Sequence, residues 1–155
     1  MSDFTVDSSF IIKGIVPVRR TKADDLRAQQ IREYEIAREY LGAIQLGTHR
    51  VFVPAIALVE VAAVIARLTN SREDAQHGSD FVRHNATRIY YETDLLDRAI
   101  EIAITAKTGG YDTIFLTVAK MTNSTLLTAD RIQHDMARKI GLKSTLLYDL
   151  LETRA

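Results

Sequence analysis

The sequence predicts an α/β fold with a mostly parallel sheet between helix layers, and three observations carry that expectation. Short apolar runs with β-branched members alternate with longer amphipathic segments along the chain. Its 155 residues, 46% hydrophobic and 26% charged, suffice for one packed core, so residues 1–155 read as a single domain. No internal repeat, low-complexity tract or Pro/Ser-rich linker divides it.

Taken in order, residues 3–6 form a short apolar first strand, and Asp7 follows it. Residues 22–46 interleave charges with Leu26, Ile31, Tyr34, Ala37, Leu41 and Ile44, an amphipathic helical pattern. Val51-Phe52-Val53 before Pro54 reads as a buried strand, followed by a helix over about 55–70 with Pro54 near its start. Residues 72–86 and 94–107 are two further helices, separated by a strand at 88–91. Gly109-Gly110 breaks the chain before a helix that begins near Asp112. Residues 125–128 are strand-like, 130–140 are helical and stop at Gly141, and 144–148 form a last strand.

Composition excludes several classes of function. With no cysteine, disulfides, thiolate zinc sites and a cysteine nucleophile are ruled out, which fits a reducing, cytoplasmic setting. The acidic Met1-Ser2-Asp3 start does not resemble a signal peptide, and no apolar run is long enough to span a bilayer. Lys and Arg total 20 against 20 Asp and Glu, which argues against a protein that coats nucleic acid through bulk positive charge. Where the acids sit matters more than their number.

Ala55 to Leu68 holds 12 apolar residues of 14, the composition of an interior helix, and Glu60 lies in its middle. A buried carboxylate must be paired, protonated or bound to a cation. An internal ion pair with Arg or Lys is one reading of Glu60, and a carboxylate facing a cleft is the other. Asp7, Asp112 and Asp130 each stand where an element gives way to a helix. Taken singly, each is most simply a helix N-cap. Taken jointly, Asp7 and Asp130 end strands, where open parallel sheets bind ligands, and Glu60 would point there too. Four converging carboxylates repel unless a cation stands among them. All-oxygen ligation selects Mg²⁺ or Mn²⁺, and carboxylate-held Mg²⁺ suits phosphodiester hydrolysis by metal-activated water.

The same residues resemble the motifs of PIN-domain ribonucleases. Val6-Asp7-Ser8-Ser9-Phe10-Ile11-Ile12 resembles the opening strand and turn, and Pro54 to Val61 the Pro-led helix with one glutamate. Tyr111 to Ala119 is similar to the third motif, and Leu127-Thr128-Ala129-Asp130-Arg131 to the fourth. The ordered set runs from residue 4 to about 147 and looks most like the VapC-type toxins of toxin–antitoxin pairs. The resemblance implies a three-layer α/β/α sandwich and Mg²⁺- or Mn²⁺-dependent cleavage of RNA. It further implies homodimerisation and inhibition by a small antitoxin protein. Carried over position by position, Asp7 and Asp112 are the main metal ligands, Glu60 assists directly or through water, and Asp130 completes the pocket. Ser8 or Ser9, together with Thr128, match hydroxyl positions that often line it. The segment 19–46 is longer than in a minimal member.

Other signals are weaker. Gly42 to Thr48 has P-loop glycine spacing without the lysine, and the four histidines lack metal-ligand spacing. Lys13, Arg19, Arg20 and Arg131 are candidate RNA-phosphate contacts, with a solvated charged face as the simpler reading. Three rivals to the toxin reading remain: a PIN nuclease of RNA processing, a non-catalytic PIN-fold interaction module, and a metal-free α/β domain whose acids are caps and a buried pair.

Overall fold

Five strands, all parallel to their neighbours, lie in the order β3-β2-β1-β4-β5 in the computed structural model, which describes residues 1–153. The strands are β1 (Asp3–Val6), β2 (Arg50–Pro54), β3 (Arg88–Tyr90), β4 (Thr125–Thr128) and β5 (Ser144–Leu146). The chain builds outward from β1 through β2 to β3, then returns to lay β4 on the other side of β1. That reversal sits between β1 and β4, so their carboxyl ends frame the crevice where such sheets take ligands. Register there is fixed by Phe4 opposite Thr125 and Val6 opposite Leu127.

Helices cover both faces. One layer comprises α1 (Ser8–Ile15), α2 (Asp25–Gln45), α3 (Ile56–Thr69), α4 (Arg72–Asn85) and α8 (Leu147–Thr153). It packs with Val6, Val51, Val53 and Leu127 into the main core, around the fully buried Phe10 and Phe115. The other face is covered by α5 (Glu92–Ala106), α6 (Gly110–Thr122) and α7 (Arg131–Lys139). Leu116, Leu126, Ile102 and Ala137 form one cluster there, and Tyr90, Leu95 and Val118 another, with Phe52 against it. Neighbours Val51, Phe52 and Val53 thus divide between faces, as the period of two in a strand requires. This is the α/β architecture that the alternation of elements predicts.

Local chemistry explains most boundaries. Asp24 caps α2, its carboxylate accepting the Arg27 backbone N–H at 2.9 Å. Ser71 caps α4 in the same way through the Asp74 N–H. The chain leaves α7 through Gly141 at φ +84°, a left-handed conformation that side chains disfavour. Gly78 lets α3 and α4 approach closely, since a Cβ there would meet Ile65 Cδ1 at 2.3 Å.

Two expectations need correction. The last strand ends at Leu146, not 148, and the chain turns directly into α8. Leu147 and Leu151, four residues apart, point the same way and bury against the main core, which stabilises a helix over a longer strand. Nor is α3 an interior helix: Ala57, Leu58, Val61 and Ile65 are buried, but Val59 is 62% exposed and Leu68 43% exposed. Its apolar composition therefore spans a core face and an open face. No helix among the described residues is long and apolar enough to cross a membrane.

Candidate active site

β1 delivers Asp7 to the carboxyl edge of the sheet, where its backbone N–H donates to Leu127 O at 2.9 Å and locks it beside β4. The side chain is buried and held by two hydroxyls. Thr128 Oγ1 donates to Asp7 Oδ2 at 2.7 Å, and Ser9 Oγ donates to the same oxygen at 2.9 Å. Each hydroxyl has one proton to give, so the 3.3 Å Ser9–Thr128 approach is a close contact while both serve Asp7. Each also accepts a backbone N–H: Ser9 Oγ from Ala129 and Thr128 Oγ1 from Asp130, both at 3.0 Å. The β4–α7 turn is thereby tied to the β1–α1 turn through side chains. Both hydroxyl bonds to Asp7 fall on Oδ2, which fixes the carboxylate.

Burial pushes the Asp7 carboxyl up to about 6. The Thr128 and Ser9 hydroxyls pull against that rise, and the charges of Glu60 and Asp112 add to it. Asp112 is also raised, by burial first and by the charge of Asp130 second. All four predicted acids are therefore linked electrostatically across β1, α3, α6 and the β4–α7 turn. Among the described residues, however, no three Asp, Glu, His or Cys side chains form a ready metal-holding group. The donor set still suits a hard divalent cation: it is oxygen-only, and a double positive charge would offset both the burial of Asp7 and Asp112 and the repulsion that adds to their rise.

The capping account holds for one aspartate of the three. Asp130 Oδ1 accepts the Ile132 and Gln133 backbone N–H groups at 2.8 and 3.2 Å and caps α7. Asp7 precedes α1 but makes no capping bond; its Oδ2 is held by the two hydroxyls instead. Asp112 lies inside the first turn of α6, which begins at Gly110, so it is not at the cap. Nor does Glu60 have a cation: among the described residues the buried, ion-paired glutamate is Glu33, with Lys13 Nζ at 3.2 Å. Glu60 is half-buried on α3 and acts on Asp7 by charge.

The remaining expected residues divide. Ser9 and Thr128 join Asp7 directly, whereas Ser8 is buried with an Oγ that has no hydrogen-bond partner. Lys13 is held by Glu33, and Arg20 by Asp24. Arg19 and Arg20 line, with Lys13 and Tyr34, a cavity of about 310 Å³ between α1 and α2. Arg131 is exposed at the start of α7, its guanidinium 5.7 Å from the Tyr148 ring centroid. One residue escaped the sequence reading altogether. Gln133 is 1% exposed, and its Nε2 donates to Asp112 O at 3.0 Å. Its only sequence signal is a polar residue on the same helix face as Ala137.

Comparison with known proteins agrees with this fold. No curated protein matches the sequence. Among solved structures, PAE2754 from Pyrobaculum aerophilum is 18% identical with a TM-score of 0.60, covering 99% of this chain and 94% of its own. A chain of VapBC2 from Rickettsia felis, bound to a DNA fragment from their promoter, is 16% identical with a TM-score of 0.60, covering 93% and 98%. FitAcB from Neisseria gonorrhoeae is 15% identical with a TM-score of 0.59, covering 94% and 98%. At these identities the likeness is one of fold. The PIN domain family itself matches residues 5–139, a span that includes all four acids, and the chain belongs to that family.

Proposed function

We propose that this protein is a metal-dependent endoribonuclease, the toxin of a toxin–antitoxin pair. The observation that carries the reading is Asp7: a buried carboxylate, clamped by Ser9 and Thr128, whose proton affinity is raised in part by two other acids from distant segments. A fold gains nothing from such repulsion unless a cation uses it. Asp7 and Asp112 would hold Mg²⁺ or Mn²⁺, Glu60 would assist, and Asp130 would add charge from the α7 cap. The ion would supply an activated water and a positive charge for the phosphodiester oxygens. The chain's own part is to hold Asp7 in one rotamer, to keep it dry, and to bring Asp112 and Asp130 within electrostatic reach.

Support for the toxin role comes from the VapC-like order of the motifs and from the likeness to a chain of VapBC2. On that reading a small antitoxin protein is the partner and a second copy of the chain completes a dimer. A second reading, a PIN-fold interaction module without chemistry, is favoured by the lack of a closed metal-holding group among the described residues.

Incubation of the purified protein with structured RNA separates the two. Cleavage in Mn²⁺ or Mg²⁺ that EDTA abolishes is expected. Intact RNA under every metal condition tested would favour the interaction module, and cleavage indifferent to EDTA would point to other chemistry.

A further inference from the structure

We propose that Gln133 is a positioning residue that sets the placement of Asp112 against Asp130, an inference that rests on reading these acids as cation ligands. Gln133 is bonded to both sides of the site. Its backbone N–H donates to Asp130 Oδ1 at 3.2 Å, and its side-chain Nε2 donates to Asp112 O at 3.0 Å. One residue thus bridges the N-terminal ends of α6 and α7, where the two acids stand. The path continues through the Asp130 backbone N–H to Thr128 Oγ1 and from there to Asp7 Oδ2. Three of the four acids are joined by an unbroken chain of hydrogen bonds, and Gln133 supplies the link to Asp112.

Packing alone does not call for a glutamine there. The side chain is almost fully buried, and its Oε1 finds no hydrogen-bond partner. A buried acceptor left unpaired is costly, and a methionine of similar volume would fill the space without that cost. What the amide alone supplies is the bond to Asp112 O. Residues that orient metal ligands in this indirect way typically change cation affinity by about 10–100-fold when replaced.

The test uses the full chain with Gln133→Met. Calorimetric titration with Mn²⁺ is expected to give a dissociation constant about 10-fold or more above wild type. Without the ion, the variant is expected to melt at the wild-type temperature or above it, since the unpaired acceptor is gone. A variant that melts lower yet binds Mn²⁺ with wild-type affinity would show a purely structural role and overturn the proposal. In the wild type, the Gln133 side-chain amide resonances should shift on Mg²⁺ titration with the midpoint of the Asp112 backbone amide. Silent side-chain resonances beside a shifting Asp112 amide would overturn it independently of any variant. Wild-type protein that binds no Mn²⁺ would remove both this proposal and the nuclease reading, whereas an unchanged constant in the variant removes this one alone.

Discussion

Without divalent cations at neutral pH, Asp7→Asn is expected to melt roughly 5 °C above the wild type. Burial and neighbouring acids raise the Asp7 carboxyl from 3.8 to about 6, so at neutral pH the fold holds a charge it disfavours. A rise of about two units corresponds to about 3 kcal/mol, because each unit is worth about 1.4 kcal/mol. Asparagine brings an amide NH₂ whose donors must also be satisfied in the buried site, which reduces the gain to about 2 kcal/mol. At this chain length that is roughly 5 °C in melting temperature. The pH dependence has a definite sign. The folded state binds the Asp7 proton more tightly than the unfolded state, so this group's stabilising contribution is complete below about pH 4 and is lost as pH rises through about 6. The gap between variant and wild type should therefore close on acidification. Mn²⁺ should narrow the gap at neutral pH by stabilising the wild type more than the variant. A variant that melts with or below the wild type without metal would mean that the buried charge is compensated elsewhere.

Asp112→Asn is expected to lower RNA cleavage by about 10³-fold while leaving the fold intact, the scale seen when one preorganised electrostatic group is removed. The side chain is half-buried in the first turn of α6, so an amide of the same size meets no new steric conflict. The change removes a carboxylate whose proton affinity is raised by burial and by Asp130. The peptide carbonyl that Gln133 holds stays in place, so the loss would report on charge and not on backbone position. Cleavage rates from the same RNA substrate, with far-ultraviolet circular dichroism as the folding control, measure it. A loss of less than about 10-fold would place the main ligand duty elsewhere.

The acids were legible because the fold places them by simple rules. Asp7 and Asp130 follow short apolar strands, and strand ends are visible as the limits of β-branched runs. Glu60 stood out against an apolar helix, although the inference of complete burial failed. The open face of α3 and its core face have the same apolar composition, and only the packing partner distinguishes them. Capping was legible for Asp130 but misleading for Asp7 and Asp112. Position gives the candidate cap, but the side-chain rotamer and its competitors decide the bond, and at Asp7 the competitors are Ser9 and a residue 121 positions away. Helix α8 was hidden because Leu146-Leu147 continues an apolar run, so a strand and a short docked helix look alike there. Gln133 was invisible for a related reason: its function lies in a bond to the backbone of Asp112, which no side-chain pattern announces.

The 20-to-20 charge balance also changes meaning once the acids are located. With Asp7, Glu60, Asp112 and Asp130 set apart, 20 basic residues face 16 acidic ones. Neutrality overall is compatible with a mildly basic surface around a cation-filled pocket. Among the described residues, three of those basic groups are committed to ion pairs: Lys13 to Glu33, Arg20 to Asp24 and Arg50 to Asp3.

That the four acids act as one cation site is tested most directly by calorimetric titration of Mn²⁺ into the metal-free protein and its Asp7→Asn and Asp112→Asn variants at neutral pH. Saturable binding to the wild type, weakened at least about 10-fold by either substitution, is the expected result. Wild-type protein that takes up no Mn²⁺, or variants that bind it as tightly as the wild type, would contradict it.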